Sequence, residues 1–211
     1  LELKELDAVL ITTSWQTHLR IAIDAMNAGK YVASEVGGAC SVDECWELVR
    51  TYQRTGVPCM MIENCCYGRE ELALLNMVKQ NLFGEIIHCR CGYEHDLRDE
   101  VAKGHINHHY RLDNYHHRNG DVYPTHGAGP MAKILNINRG NRFVSLTSMA
   151  SKARGLKEWV KNNMPADNEV NFFDITQGDV VTTMIKCAHG ETLVITHDTT
   201  LPRPYSRGGY V

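Results

Sequence analysis

The chain has 211 residues, of which 43% are hydrophobic and 22% charged, and a formal net charge of −3. These are ordinary values for a globular protein, and the length allows one sizeable domain or two small ones. They exclude a polybasic field for nucleic acid or an anionic membrane, and no apolar stretch approaches the roughly 18–20 residues that cross a bilayer.

Residues 7–13 (Asp-Ala-Val-Leu-Ile-Thr-Thr) form a short, apolar, β-branched run, the pattern of a buried parallel strand. From His18 to Asn27 the apolar residues Leu19, Ala22, Ile23 and Met26 recur at helical spacing, and Gly29 stops that helix. Residues 31–36 read as a second strand. Ser41, with Glu44 three residues on, is a capping box for a helix running to about Thr55, ended by Gly56. Residues 58–62 are a third buried strand. Strand–helix–strand–helix–strand with short connections argues for parallel strands and a doubly wound sheet. Three strands and two helices make only half of one, which leaves a strand edge and an apolar face uncovered.

Beyond this half the pattern changes. A helix is expected over 70–80, with Leu72, Leu75 and Val78 apolar, and a strand over 85–93. Residues 94–125 are polar, rich in His and Tyr and aperiodic, and read as a long functional or disordered loop. A helix is expected over 126–136, with Met131, Ile134 and Leu135 inward, and strands over 143–151, 179–187 and 192–198. The second half is therefore an α+β domain with a mostly antiparallel open sheet. The eight cysteines match neither a zinc site nor a disulfide scaffold and are read as small, buried, reduced thiols.

No GxGxxG turn is present, so cofactor binding rests on the strand ends, where open α/β sheets take their ligands. Thr12 to His18, Glu35-Val36 and Glu63-Asn64 follow the three strands. Capping and packing compete with ligand contact for Trp15 and His18, and a turn competes for Glu63-Asn64. In the polar segment, 93–98 and 118–127 are the densest clusters of titratable groups. A histidine there is suited to general base catalysis. A tyrosine abstracts a proton only if a nearby cation lowers its pKa. His105, His108, His109, His116 and His117 lack the spacing of known metal motifs, so no metal is expected.

Several longer motifs are specific: Glu63-Asn64-Cys65-Cys66-Tyr67-Gly68-Arg69, Cys91-Gly92-Tyr93-Glu94-His95-Asp96-Leu97-Arg98, Tyr123-Pro124-Thr125-His126-Gly127, Ile137-Asn138-Arg139-Gly140-Asn141 and Leu201 to Arg207. In this order they resemble glycoside hydrolase family 109, within the Gfo/Idh/MocA oxidoreductase group, across essentially the whole chain. The resemblance implies the C-terminal half of a dinucleotide-binding Rossmann domain over 1–66, and an incomplete α+β substrate-binding and oligomerisation domain over 67–211. It also implies that the chain starts inside the Rossmann domain, with the phosphate-binding glycines upstream, and that the family continues beyond 211.

By position, the resemblance assigns Trp15, Gln16, Thr17, His18, Glu35, Val36 and Asn64 to NAD. It assigns Tyr93, Arg118, Tyr123, Pro124, Thr125, His126 and Tyr205 to the sugar. The Glu-Lys-Pro motif of the wider group is replaced by Glu35-Val36-Gly37, so the lysine that assists hydride transfer is missing. The implied activity is that of an α-N-acetylgalactosaminidase working by oxidation at sugar carbon 3, elimination, water addition and re-reduction. His126 is then the base for the carbon 3 hydroxyl, and Tyr123 the base for carbon 2, with Tyr93 as the alternative. The implied substrate is a small-molecule or glycan-terminal sugar, and a homo-oligomer is expected. A sugar dehydrogenase of the same group and a non-catalytic fragment are the competing readings. The compartment is left open.

Overall fold

A computed structural model of the chain describes residues 4–211. The chain divides into two compact units, Leu1–Glu63 and Asn64–Val211.

The first unit holds β1 (Ala8–Ile11), α1 (Trp15–Asn27), β2 (Tyr31–Ser34), α2 (Val42–Thr55) and β3 (Cys59–Met61). The strands form one parallel sheet in the order β1-β2-β3. α2 opens with the expected capping box: the Ser41 hydroxyl accepts from the Glu44 N–H, and the Glu44 carboxylate accepts from the Ser41 N–H. Gly56 closes it in the left-handed conformation at φ 69°. One face of the sheet is covered: Ile11, Val32, Ala22, Ala25 and Met26 are buried, with Leu48 of α2 packed against them. On the other face Leu10, Tyr31 and Met60 are exposed. Both helices pack on the same side, so this half sheet leaves an apolar face uncovered as expected, while β3, read as a buried strand, is exposed at Met60 and Met61.

The second unit begins with a 3-10 turn (Asn64–Tyr67) and α3 (Arg69–Lys79). Along α3, Leu74, Leu75 and Val78 pack on the core, while Leu72 faces outward. Then come β4 (His88–Glu94), α4 (Arg98–Ala102), α5 (Gly104–Asn107), α6 (Arg111–His117), α7 (Thr125–Ile134), β5 (Phe143–Ala150), α8 (Gly155–Asn163), β6 (Val180–Cys187) and β7 (Thr192–Asp198). The sheet order is β4-β7-β6-β5, with β4 and β7 parallel and the other two pairings antiparallel. Backbone bridges from Ser206 and Tyr210 to Glu94 and Arg90 run along the outer edge of β4.

Two expectations change here. The segment 94–125 contains three short helices rather than one long loop; Val101, Ala102, Leu112 and Tyr115 are buried, so short apolar pairs order it where no long periodicity is visible. The thiols are all free, but Cys45 is exposed and Cys40 and Cys59 are half-buried, because only the five in the second unit lie in buried positions.

Helix α7 packs directly on β4. A Cβ at Gly127 would stand 2.8 Å from the Gly92 nitrogen and 2.9 Å from Cys91 Sγ. Only a glycine permits that approach. Pro130 lies inside α7 and has no N–H to return to the His126 carbonyl.

Candidate functional site

In the first unit, the expected cofactor residues follow β1 and β2. Trp15 is buried, and its indole lies on Gly37: a Cβ there would stand 2.3 Å from the ring, and φ is +88°. His18 is buried and donates from Nε2 to the Thr13 carbonyl at 2.8 Å, so its ring holds the turn into α1. Thr17 donates its hydroxyl toward Thr13 Oγ1 and the Ser14 carbonyl. Gln16 and Thr17 are exposed, Glu35 is half-buried and Val36 is buried. In the second unit, Asn64 is exposed at the start of the 3-10 turn.

The second unit gathers most of the expected sugar residues. Tyr93 ends β4; Tyr123 precedes α7; His126 sits in its first turn. The Tyr93 ring centroid is 4.6 Å from that of Tyr123, 5.5 Å from His126 and 6.2 Å from Tyr205. Tyr123 and His126 lie 4.7 Å apart, edge to face. The close seat of Gly127 on Gly92 brings α7 to β4 and so sets His126 beside Tyr93. Pro124 caps α7 and Thr125 is its first residue, with a buried hydroxyl.

Arg118 follows α6 and bonds Asn114 through both its backbone N–H and its guanidinium. Arg111, which opens α6, is a cation that meets the rings. Its guanidinium carbon lies 5.0 Å from the Tyr123 ring, 5.9 Å from Tyr93 and 5.5 Å from Tyr110. Sequence reasoning missed Arg111 because it lies in the segment read as loop. The signal was there: Arg111, Leu112, Asn114 and Tyr115 are the buried residues of α6, at short helical spacing.

Electrostatics follow burial. The Tyr93 phenol is pushed up to about 12 by burial, with Arg111 pulling the other way. Its hydroxyl meets His95 Nδ1 at 3.0 Å. Burial lowers the His95 pKa, which favours the neutral ring that can accept this bond. His197 on β7 is fully buried beneath Tyr93, 6.4 Å from its ring, with both ring nitrogens lacking a hydrogen-bond partner. Burial, then Arg111, lower it to about 4. The Asp121 carboxyl accepts from the Tyr123 N–H at 3.0 Å, and burial raises it to about 6. Three histidines that lacked a metal spacing are met by carboxylates: His105 by Glu169 at 2.8 Å, His117 by Asp113 at 3.1 Å, and His109 by Glu100.

Aromatic rings, a buried cation and a histidine are thus brought together at the end of β4 and the start of α7. The family model for "Glycosyl hydrolase 109, C-terminal domain" matches residues 67–211, more than half of the chain. The chain belongs to glycosyl hydrolase family 109. Among curated family 109 relatives, an alpha-N-acetylgalactosaminidase of Tannerella forsythia is 46% identical over 224 residues, covering 97% of this chain and 48% of that protein. One of Shewanella oneidensis is 48% identical over 206 residues, covering 96% and 44%. The chain thus spans about half the length of the curated relatives it matches. Its fold is shared with solved dehydrogenases. It resembles an inositol dehydrogenase homolog complexed with NAD+ from Azotobacter vinelandii (TM-score 0.70, 17% identity, 96% of this chain and 48% of that one). It also resembles a probable dehydrogenase from Thermotoga maritima (TM-score 0.66, 16% identity, 97% and 54%).

Proposed function

We propose that this family 109 chain belongs to an NAD-dependent glycosidase that removes a terminal α-linked N-acetylgalactosamine by transient oxidation at carbon 3. The observation that carries this reading is the meeting of Tyr93, Tyr123 and His126 around Arg111.

The first unit fits a dinucleotide. Gln16 and Thr17 are exposed at the start of α1, Glu35 follows β2, and Gly37 lies against Trp15 where no side chain fits. Strand carboxyl ends of a parallel sheet are the usual seat of such ligands. Trp15, Gln16, Thr17, His18, Glu35 and Val36, with Asn64, would hold NAD. When bound, NAD supplies a hydride acceptor for sugar carbon 3 and returns the hydride at the end of turnover.

The residues of the second unit do the rest. His126 takes the proton of the carbon 3 hydroxyl as that carbon becomes a ketone. The ketone acidifies the carbon 2 hydrogen, and Tyr123 removes it. Tyr123 is preferred to Tyr93 because its ring is nearer the Arg111 guanidinium, and because burial makes the Tyr93 phenol harder to ionise. Loss of the glycosidic oxygen follows, and water adds at carbon 1. Tyr93 and Tyr205 line the sugar face, and Arg111 joins Arg118 in holding the sugar. The edge strand β5, with all eight residues exposed, supports pairing between copies of the chain.

The test is hydrolysis of p-nitrophenyl α-N-acetylgalactosaminide by the full-length protein in deuterium oxide, with and without added NAD. Deuterium on carbon 2 of the released sugar, with no net NADH, is expected. Hydrolysis without deuterium would point to a two-carboxylate glycosidase. NADH accumulating with free sugars would make the protein a sugar dehydrogenase.

A further inference from the structure

Arg111 lies against the Tyr93 and Tyr123 rings, and a guanidinium buried among phenols needs something to hold it. The holding groups come from two other places. Glu100 projects from α4, and His109 from the turn between α5 and α6. Glu100 Oε1 is bonded by His109 Nε2 and lies 3.4 Å from Arg111 Nη1. The Arg111 backbone N–H donates to His109 Nδ1 at 3.2 Å.

That last bond fixes the chemistry of the imidazole. A nitrogen that accepts an N–H carries no proton, so with Nδ1 accepting, a neutral ring bears its proton on Nε2. Burial and Arg111 lower the His109 pKa against the opposing pull of Glu100, which favours that neutral ring. The ring meets Arg111 at both ends: Nδ1 takes its backbone N–H, and Nε2 meets Glu100 Oε1 and lies 3.1 Å from Arg111 Nη1. Asn107 braces the same turn, accepting from the His109 N–H at 3.0 Å and donating to the Glu100 carbonyl at 3.2 Å. Glu100 is 43% exposed at its side chain whereas that of Arg111 is only 7% exposed, so the clamp reaches in from the surface.

We propose that Glu100 and His109 are positioning residues that set the Arg111 guanidinium against the two phenol rings, so that it meets the sugar and the developing charge without reorganising. The proposal rests on the sugar-site reading above. Near-attack geometry is sensitive: a misplacement of about 1 Å can cost about 10²-fold in rate.

The test uses [15N]arginine-labelled full-length protein, followed by NMR at neutral pH, together with the glycosidase assay. In the wild type the Arg111 Nε–H signal is expected to be shifted by the rings of Tyr93, Tyr110 and Tyr123 and slow to exchange. In Glu100→Gln and His109→Ala it should move to the position of a solvated arginine, with kcat/KM down by about ten- to a hundredfold. His109→Gln keeps one acceptor and one donor at the imidazole positions, and should restore both signal and rate. If Glu100→Gln and His109→Ala fold, keep the shifted signal and keep the rate, the clamp is refuted. If His109→Gln behaves like His109→Ala, the two-ended grip is refuted as well. A wild type that shows the shifted signal and its loss in the variants, but no hydrolysis, would keep the clamp and overturn the glycosidase reading.

Discussion

Gly127 rests on the backbone of Gly92: a Cβ on Gly127 would stand 2.8 Å from the Gly92 nitrogen, and one on Gly92 would stand 2.5 Å from the Thr196 carbonyl oxygen. The backbone of α7 thus rests on that of β4 with nothing between them, and β4 is held edge to edge by its sheet neighbour β7. The ring of His126 reaches Tyr93 because of this stack. Gly127→Ala forces the helix away from a strand that cannot yield. Overpacking of this kind costs about 1–3 kcal/mol. A lower thermal midpoint is expected, together with a fall in kcat larger than the change in KM, because His126 moves relative to Tyr93. A variant with unchanged midpoint and kcat would show that the packing is looser than this geometry.

His126 and Tyr123 are expected to differ in what their removal does. His126→Ala removes the proposed base for the carbon 3 hydroxyl, and kcat should fall by about 10²–10⁴-fold. Tyr123→Phe keeps the ring against Arg111 and removes only the hydroxyl. It should retain carbon 3 oxidation, seen as a single-turnover NADH absorbance, while losing hydrolysis. Equal loss of both steps in Tyr123→Phe would move the carbon 2 role to Tyr93.

Asp179 secures a helix from a distance. Its carboxylate accepts from the Arg154 N–H at 2.8 Å, from the Gly155 N–H at 2.9 Å and from the Thr200 hydroxyl at 2.7 Å. The N–H groups at the start of α8 have no partner within the helix, so this carboxylate caps them. Asp179→Ala should cost about 1–3 kcal/mol, read as a lower urea midpoint at unchanged slope. Because α8 packs on α4, which carries Glu100, activity at low temperature should survive. Loss of activity without loss of stability would give Asp179 a role beyond capping.

The regular parts of this protein were legible in its sequence because single local rules decide them. The Ser41–Glu44 box, the left-handed Gly56 and the apolar stripe of Met131, Ile134 and Leu135 each act within one or two turns. Tyr93, Tyr123, His126 and Tyr205, expected at the substrate, came from the extended motifs that resemble the family, and the structure brings their rings together. Arg111 was hidden because α6 is seven residues long, too short for periodicity to stand out. Arg118 was expected at the sugar from the family resemblance alone, and its bond to Asn114 Oδ1 was not legible from that. His197 could not be foreseen at all: its burial depends on β4 lying beside β7, a pairing between residues more than a hundred positions apart.

Asp121 and His197 should produce opposing pH effects in nearly the same window. Asp121 is raised from 3.8 to about 6 in the folded chain, so its contribution to stability is present below 3.8 and lost as pH rises to about 6. His197 is lowered from 6.5 to about 4, so its contribution is present above 6.5 and lost as pH falls to about 4. The two slopes partly cancel between these limits, where each is at most about 1.4 kcal/mol per pH unit. Urea midpoints of the wild type, Asp121→Asn and His197→Gln, measured from pH 4 to pH 7, separate them. Relative to wild type, Asp121→Asn should lose stability more steeply as pH falls, because the histidine effect is no longer opposed. His197→Gln should gain stability as pH falls through the same range, because the protonated Asp121 then acts alone. Absolute stabilities will differ between the variants, so the slopes carry the comparison. Three parallel curves would mean that neither group changes its protonation on folding, and that the buried site is wetter than its packing implies.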